Sequence, residues 1–218
     1  MRLLTAVFLL AFSAASHAQQ MPSTRPRKLD IPGLTSPAVP GKLTPAATEF
    51  YDKLYKVGFH IPEGWNFERK DGVLSNFNVD TGTTRRELDV RGVAAINFNP
   101  YPPTTFSGAT FYYSVLPIAK ADSCLVQTGA GRMKPLGSAS VGGIDFQHAH
   151  DQHGAAGCIE SRIDTFAAMR GHACIRFDLV VNTFCGQTSG SMDITEQQLK
   201  DIEIRLANIL GSVHFDAK

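Results

Sequence analysis

IESRIDTFAAMRGHACIRFDLVVN, residues 159–182, alternates with a period of two on both sides of a glycine. Ile175, Phe177, Leu179 and Val181 alternate with Cys174, Arg176, Asp178 and Val180. Upstream, Ile163, Thr165 and Ala167 alternate with Arg162, Asp164 and Phe166. Successive side chains of a strand point to opposite faces, so the stretch predicts two strands meeting at Met169-Arg170-Gly171-His172, where Gly171 supplies the positive φ of a tight turn. Matching apolar positions sets the register. Partners whose numbers sum to 342 bring Ile163 opposite Leu179 and Thr165 opposite Phe177, with a three-residue loop and a glycine bulge. A sum of 341 sets apolar against charged residues. On the other face this register puts Asp164 opposite Asp178, with Arg162 and Arg176 on the diagonals. Flanking guanidinium groups favour two ionised carboxylates, so the expectation is a solvated charge ladder rather than an acid–base pair sharing one proton.

The same hairpin frames the cysteines. There are four, Cys124, Cys158, Cys174 and Cys185, an even number that reads as two disulfides with three pairings open. The register brings Cys158 close to Cys185 at the open end, off by one position, which leaves Cys174 for Cys124. A straight strand would hold Cys174 and Cys185 roughly 35 Å apart, against the roughly 5.5 Å of a disulfide. No C-x-x-C occurs, so neither a thioredoxin-type redox motif nor the usual zinc knuckle is present.

Outward from the hairpin, strand signals dominate. GFHIPEGW (58–65) alternates and stops at Pro62, with Phe59 and Ile61 on one face and Trp65 as a core anchor. NFNVD (76–80), VAAINFNP (93–100) and TFYYSVLPI (110–118) read as further strands, with TGTTRRE (81–87) and NPYPP (99–103) as breaks. At the C-terminal side, Thr195 and Gln198 form a capping box, and Leu199, Ile202, Leu206, Ile209 and Leu210 follow helical spacing to Gly211. SVHF (212–215) is a short last strand. Many antiparallel strands with a late helix make an α+β domain, a largely antiparallel sheet flanked by helices.

Three features together carry a resemblance: F-x-I-P-x-G-W, the Gly142-Gly143-x-x-Phe146 approach to a strand, and the long hairpin leading to a terminal helix and SVHF. Over roughly residues 48–216 the chain resembles the Mog1/PsbP-like α/β/α sandwich family, in an exported bacterial form. That resemblance implies a binding or assembly role, as in a Ran-binding factor and photosystem oxygen-evolving subunits, and mostly non-enzymatic members. It carries no binding residues onto this chain, since no binding motif matches.

Chemistry-bearing residues concentrate in FQHAHDQHGAAGC (146–158). His148 and His150 stand two apart, so on a strand both imidazoles project from one face. With His153, or Asp151, just past the strand end they make a candidate three-ligand set for zinc or copper. The opposing expectation is a solvated strand end followed by a flexible loop through Gly154 and Gly157. Nucleophilic catalysis has no support: no G-x-S-x-G stands at a strand–helix turn, Gly129-x-Gly131 lacks the third glycine of a dinucleotide site, and Cys174 beside His172 is assigned to a bridge.

Totals and chain ends bound the rest. Met1-Arg2, the apolar run LLTAVFLLAF (3–12) and SAASHA (13–18) have the order of a secretory signal peptide cleaved near Ala18. Residues 19–45 hold half of the twelve prolines and read as an extended tether, with Arg25, Arg27 and Lys28 as a solvated basic patch. Residues 46–218 then make one domain. A net charge of +1 gives no general attraction to nucleic acid, and no apolar run reaches the length of a membrane span. The expectation is a periplasmic or secreted binding module for a protein, an envelope component or a small ligand, with the histidine cluster as the alternative centre of a metal-binding protein or metal-dependent hydrolase.

Overall fold

The 159–182 hairpin exists with its strands slipped by one residue from the expected register. In the computed structural model, which describes residues 44–70, 88–117, 124, 133–155, 159–184 and 190–216, Ile163 pairs with Val180 and Thr165 with Asp178. Arg170 pairs with Ala173, so the loop is only Gly171-His172, and Gly171 takes φ 68° as the first central residue of a two-residue turn. The slip sends the two strands' sets to different faces. Phe166 and Ala168 join Ile175, Phe177, Leu179 and Val181 in one cluster, while Ile163 and Ala167 join Cys174 and Val180 in another. The 342 register assumed that charge marks a solvated face. Both faces are buried here, so polarity did not mark them.

The elements run β1 (Thr48–Asp52), β2 (Val57–Ile61), β3 (Trp65–Glu68), β4 (Asp89–Ile96), β5 (Phe106–Leu116), β6 (Lys134–Val141), β7 (Ile144–Ala155), β8 (Ile159–Arg170), β9 (Ala173–Phe184), α1 (Glu196–Gly211) and β10 (His214–Phe215). Among the described residues β3-β4-β5-β9-β8-β7-β6 form one antiparallel sheet in that order, and β1-β2-β10 a second. One helix is described, so of the helical layers that the resemblance implies one is seen. Lys42–Lys218 make one compact unit. The expected signal peptide, most of the tether and the strand at 76–80 lie outside the described residues.

Helix α1 begins where the capping box placed it: the Thr195 side chain accepts from the Gln198 N–H while Gln198 reaches back to the Thr195 N–H. Its buried stripe, Leu199, Ile202, Leu206, Ile209 and Leu210, packs on the sheet face that carries Phe111, Tyr113, Ile175 and Phe177. A lone helix of this length is marginal in water, so packing of that stripe supplies its stability. Ser212, not Gly211, caps its end. The small sheet closes the same core with Phe50, Phe59 and Ile61, Phe59 and Ile61 fully buried and the intervening His60 exposed. Trp65 lies in this core as well.

At the β6–β7 turn both Gly142 and Gly143 have positive φ, 55° and 79°. A Cβ on Gly142 would come within 2.8 Å of the Val213 carbonyl oxygen, so a side chain there collides with the strand that follows α1. That turn sets the start of β7, the strand carrying the histidines.

Candidate functional site

Strand β7 does not fray at His150. It continues through Asp151, Gln152 and His153 to Ala155, paired with β8 all the way from Gln147↔Ala167 to Ala155↔Ile159. Because the strand stays regular, its period of two separates the histidines. His148 sits opposite Phe166 and His150 opposite Asp164, on the α1 side. His153 sits opposite Ser161, on the other face, where its Nδ1 is 2.9 Å from Oδ2 of Asp151. The expected set His148, His150 and His153 therefore does not converge. An odd difference in residue number on a straight strand forbids it. Among the described residues no group of three His, Cys, Asp or Glu side chains is disposed to hold a metal ion.

His148 and His150 instead share one carboxylate oxygen. His148 Nε2 lies 3.0 Å and His150 Nδ1 3.2 Å from Asp164 Oδ1. A carboxylate only accepts, so both nitrogens carry their protons toward it. The His148 ring also stacks on Phe166, centroids 4.2 Å apart and planes 9° from parallel. The expected Asp164–Asp178 ladder is absent. The slipped register places Asp178 on the opposite face, inside the protein against Arg176 and Thr165.

These side chains rim a cleft between the sheet and α1. Its walls are His148, Arg162, Asp164 and Phe166 with Leu179 and Val181 on the sheet side, and Glu203, Leu206 and Ala207 on the helix. The cleft holds about 160 Å³. Its floor is apolar and its rim charged. Burial, and then the Asp164 carboxylate, push the Glu203 carboxyl above the ordinary glutamate range, while Arg162 and His150 pull the other way. Arg162 Nε is out of contact with water and makes no hydrogen bond, with Glu160 Oε1 3.6 Å away.

No protein-family model matches the chain, and no curated protein matches it. Solved structures similar to it do exist. One is the cyanobacterial PsbP (CyanoP) of Synechocystis, 12% identical with a TM-score of 0.44, covering 81% of this chain and 96% of that one. LpqN of Mycobacterium tuberculosis, a protein involved in cell envelope biogenesis, is 10% identical with a TM-score of 0.43, over 78% of this chain and 91% of that one. A protein of Bacteroides thetaiotaomicron is 10% identical with a TM-score of 0.39, over 80% of this chain and half of that one.

The sequence pointed to His148 in the cleft wall and to His150 beside it, but not to the carboxylates. Asp164 was assigned to the wrong face by the register. Glu203 had a signal of its own. It falls four residues after Leu199 and three before Leu206, on the apolar stripe of α1, where a solvated carboxylate has no place. An acidic residue interrupting an otherwise apolar stripe marks a wet gap in the core.

Among the described residues no helix is long and apolar enough to cross a membrane. Cys124 and Cys174 are bonded, with Cα atoms 5.5 Å apart. Cys158 and Cys185 lie outside the described residues.

Proposed function

We propose that the protein is an exported, non-enzymatic binding module whose ligand site is the cleft between α1 and β7, β8 and β9. The observation that carries this reading is the cleft itself: an apolar floor of Phe166, Leu179, Val181 and Leu206 opening beneath a rim of Asp164, Glu203 and Arg162. Ligand pockets share that pattern, apolar walls with a few polar groups that orient the guest. The Cys124–Cys174 disulfide supports export, because such bonds persist in oxidising compartments. The signal-like order of residues 1–18 supports it from the sequence side.

The test is a fragment titration of the purified protein followed by amide NMR. Small amphipathic compounds should shift Phe166, Leu179, Val181 and Leu206 together. An Ala207→Trp variant, built at an exposed helix position, should fill the cleft and abolish those shifts. Shifts that gather elsewhere, or that survive Ala207→Trp, overturn the assignment of this cleft.

A further inference from the structure

The cleft's charge distribution says more about its guest than its shape does. Asp164 engages both imidazoles through one oxygen, Oδ1, and its Oδ2 makes no hydrogen bond among the described residues. Glu203, on the facing helix, is half-buried, and its carboxyl makes no hydrogen bond or ion pair among the described residues. Two carboxyl groups thus meet across an apolar floor with one oxygen or more each left without a protein donor. Around them stand His148 and His150 on β7, Arg162 on β8 and Glu196 at the start of α1. Arg162 is turned to Glu160 and Glu196, its Nε and Nη2 each 3.6 Å from a carboxylate oxygen of those residues. Arg162 is thus shared with those two carboxylates, and together with His150 it offsets only part of the negative charge at Glu203. Burial first and Asp164 second raise the Glu203 carboxyl, against the pull of Arg162 and His150.

We infer that the cleft selects a small organic ammonium ion, its N–H groups bridging Asp164 Oδ2 and the Glu203 carboxylate while its apolar body lies on Phe166, Leu179 and Val181. The ammonium supplies the donors that both carboxyl groups lack, and charge-assisted hydrogen bonds of this kind are the strong ones. A bare metal ion is the poorer match. It gains nothing from an apolar floor, and no three donor side chains are grouped for it among the described residues. An anionic guest would meet Asp164 and Glu203 at the rim. Size sets the limit: a cavity near 150 Å³ accommodates a single benzene ring, so about 160 Å³ takes one ring or a short alkyl chain, not a peptide or a lipid.

This inference rests on the proposed binding role of the cleft, and the experiment separates the two. The purified protein at about pH 8 is titrated with benzylammonium chloride, benzyl alcohol, sodium benzoate, and calcium and zinc chlorides, each followed by amide NMR. Benzylammonium should bind about tenfold or more tighter than benzyl alcohol, a factor that one good charged contact supplies. Benzoate should bind most weakly. Glu203→Gln and Asp164→Asn, near-isosteric changes whose spectra report retained folding, should each reduce the ammonium-over-alcohol preference toward unity. Equal binding of amine and alcohol at Phe166 and Leu206 overturns the ammonium inference and leaves the binding role intact. So does binding of either metal that is lost in Asp164→Asn. If none of the probes perturbs the cleft, both readings fail.

Discussion

Arg176 and Asp178 form an ion pair with each side chain only 1% exposed, Nη2 to Oδ1 at 2.8 Å and Nε to Oδ2 at 2.8 Å. Thr165 donates its hydroxyl to the same carboxylate from the neighbouring strand. Neither ion has water to fall back on, so removing the guanidinium leaves the Asp178 carboxylate buried without its counter-charge. Arg176→Met is expected to cost about 3–5 kcal/mol, whereas Arg176→Met with Asp178→Leu, which removes both charges, should cost much less. Urea unfolding of the two variants decides it; a loss below about 1 kcal/mol for the single change is the behaviour of an exposed pair and would contradict the burial. Asp52 makes the second prediction. It is 2% exposed and accepts from Arg91, from the Leu54 N–H at 3.0 Å and from the Tyr113 hydroxyl at 3.2 Å. Burial pushes its carboxyl up, but the Arg91 guanidinium and these donors outweigh that and hold it below the ordinary aspartate range. A carboxyl with a lowered folded-state pKa stabilises the fold above the unfolded value and stops doing so as pH falls through the folded one. Stability should therefore decline below about pH 4, and Asp52→Asn should lower stability at pH 7 while narrowing its gap to wild type in acid. A gap that stays constant from pH 7 to about pH 3 refutes that linkage.

At the scale of elements, the sequence revealed what each piece is better than where it faces. Helix α1 was legible from its capping box and five apolar positions, all of which are buried. Strands β2, β5, β8 and β9 were legible from alternation or β-branched density. Their registers were not, because β8 and β9 bury both faces and the interior accepts Arg176, Asp178 and Thr165 alongside aliphatics. Alternation of polar and apolar residues then ceases to say which face is wet, and a slip of one residue moves every side chain across the sheet. The cleft suffered from the same ambiguity. Its histidines stood out by type, whereas Asp164 depended on the register and Glu203 on reading an interrupted helical stripe. The corrected register makes a prediction about the two remaining cysteines. The ladder ends at Ile159↔Phe184, and one further step along it pairs position 158 with position 185. We propose a Cys158–Cys185 disulfide on that ground, now without the one-position offset. Thiol titration of denatured, unreduced protein should find no free thiol, and digestion should yield peptides joined as 158 with 185 and 124 with 174. Two thiols per chain would leave Cys124–Cys174 standing and remove the second bridge.

At the scale of the whole molecule, the large sheet separates two apolar clusters with different partners. One face is covered by α1 and the small sheet, and it carries the cleft. The other buries Leu88, Val90, Tyr112, Ile163 and Val180 around Cys174, and Cys124 is drawn into the same cluster. The Cys124–Cys174 bond, 50 residues apart in sequence, therefore fastens the chain between β5 and β6 onto the face opposite the cleft. Closing a loop of that length removes enough unfolded-state entropy to stabilise the fold by about 4 kcal/mol in the chain-entropy treatment. Among the described residues an antiparallel sheet stands between the two faces, and each of its strands is held by hydrogen bonds to its neighbours. Replacing both cysteines by alanine, Cys124→Ala with Cys174→Ala, should thus lower the unfolding free energy by about 2–5 kcal/mol. It should leave the ligand affinity of the cleft unchanged at temperatures where the variant stays folded. Urea unfolding reads the first quantity and amide NMR titration at Phe166, Leu179 and Leu206 the second. A variant of unchanged stability would show that the bond fastens nothing the packing does not already hold. A folded variant with weakened cleft binding would show that the two faces are coupled through the sheet.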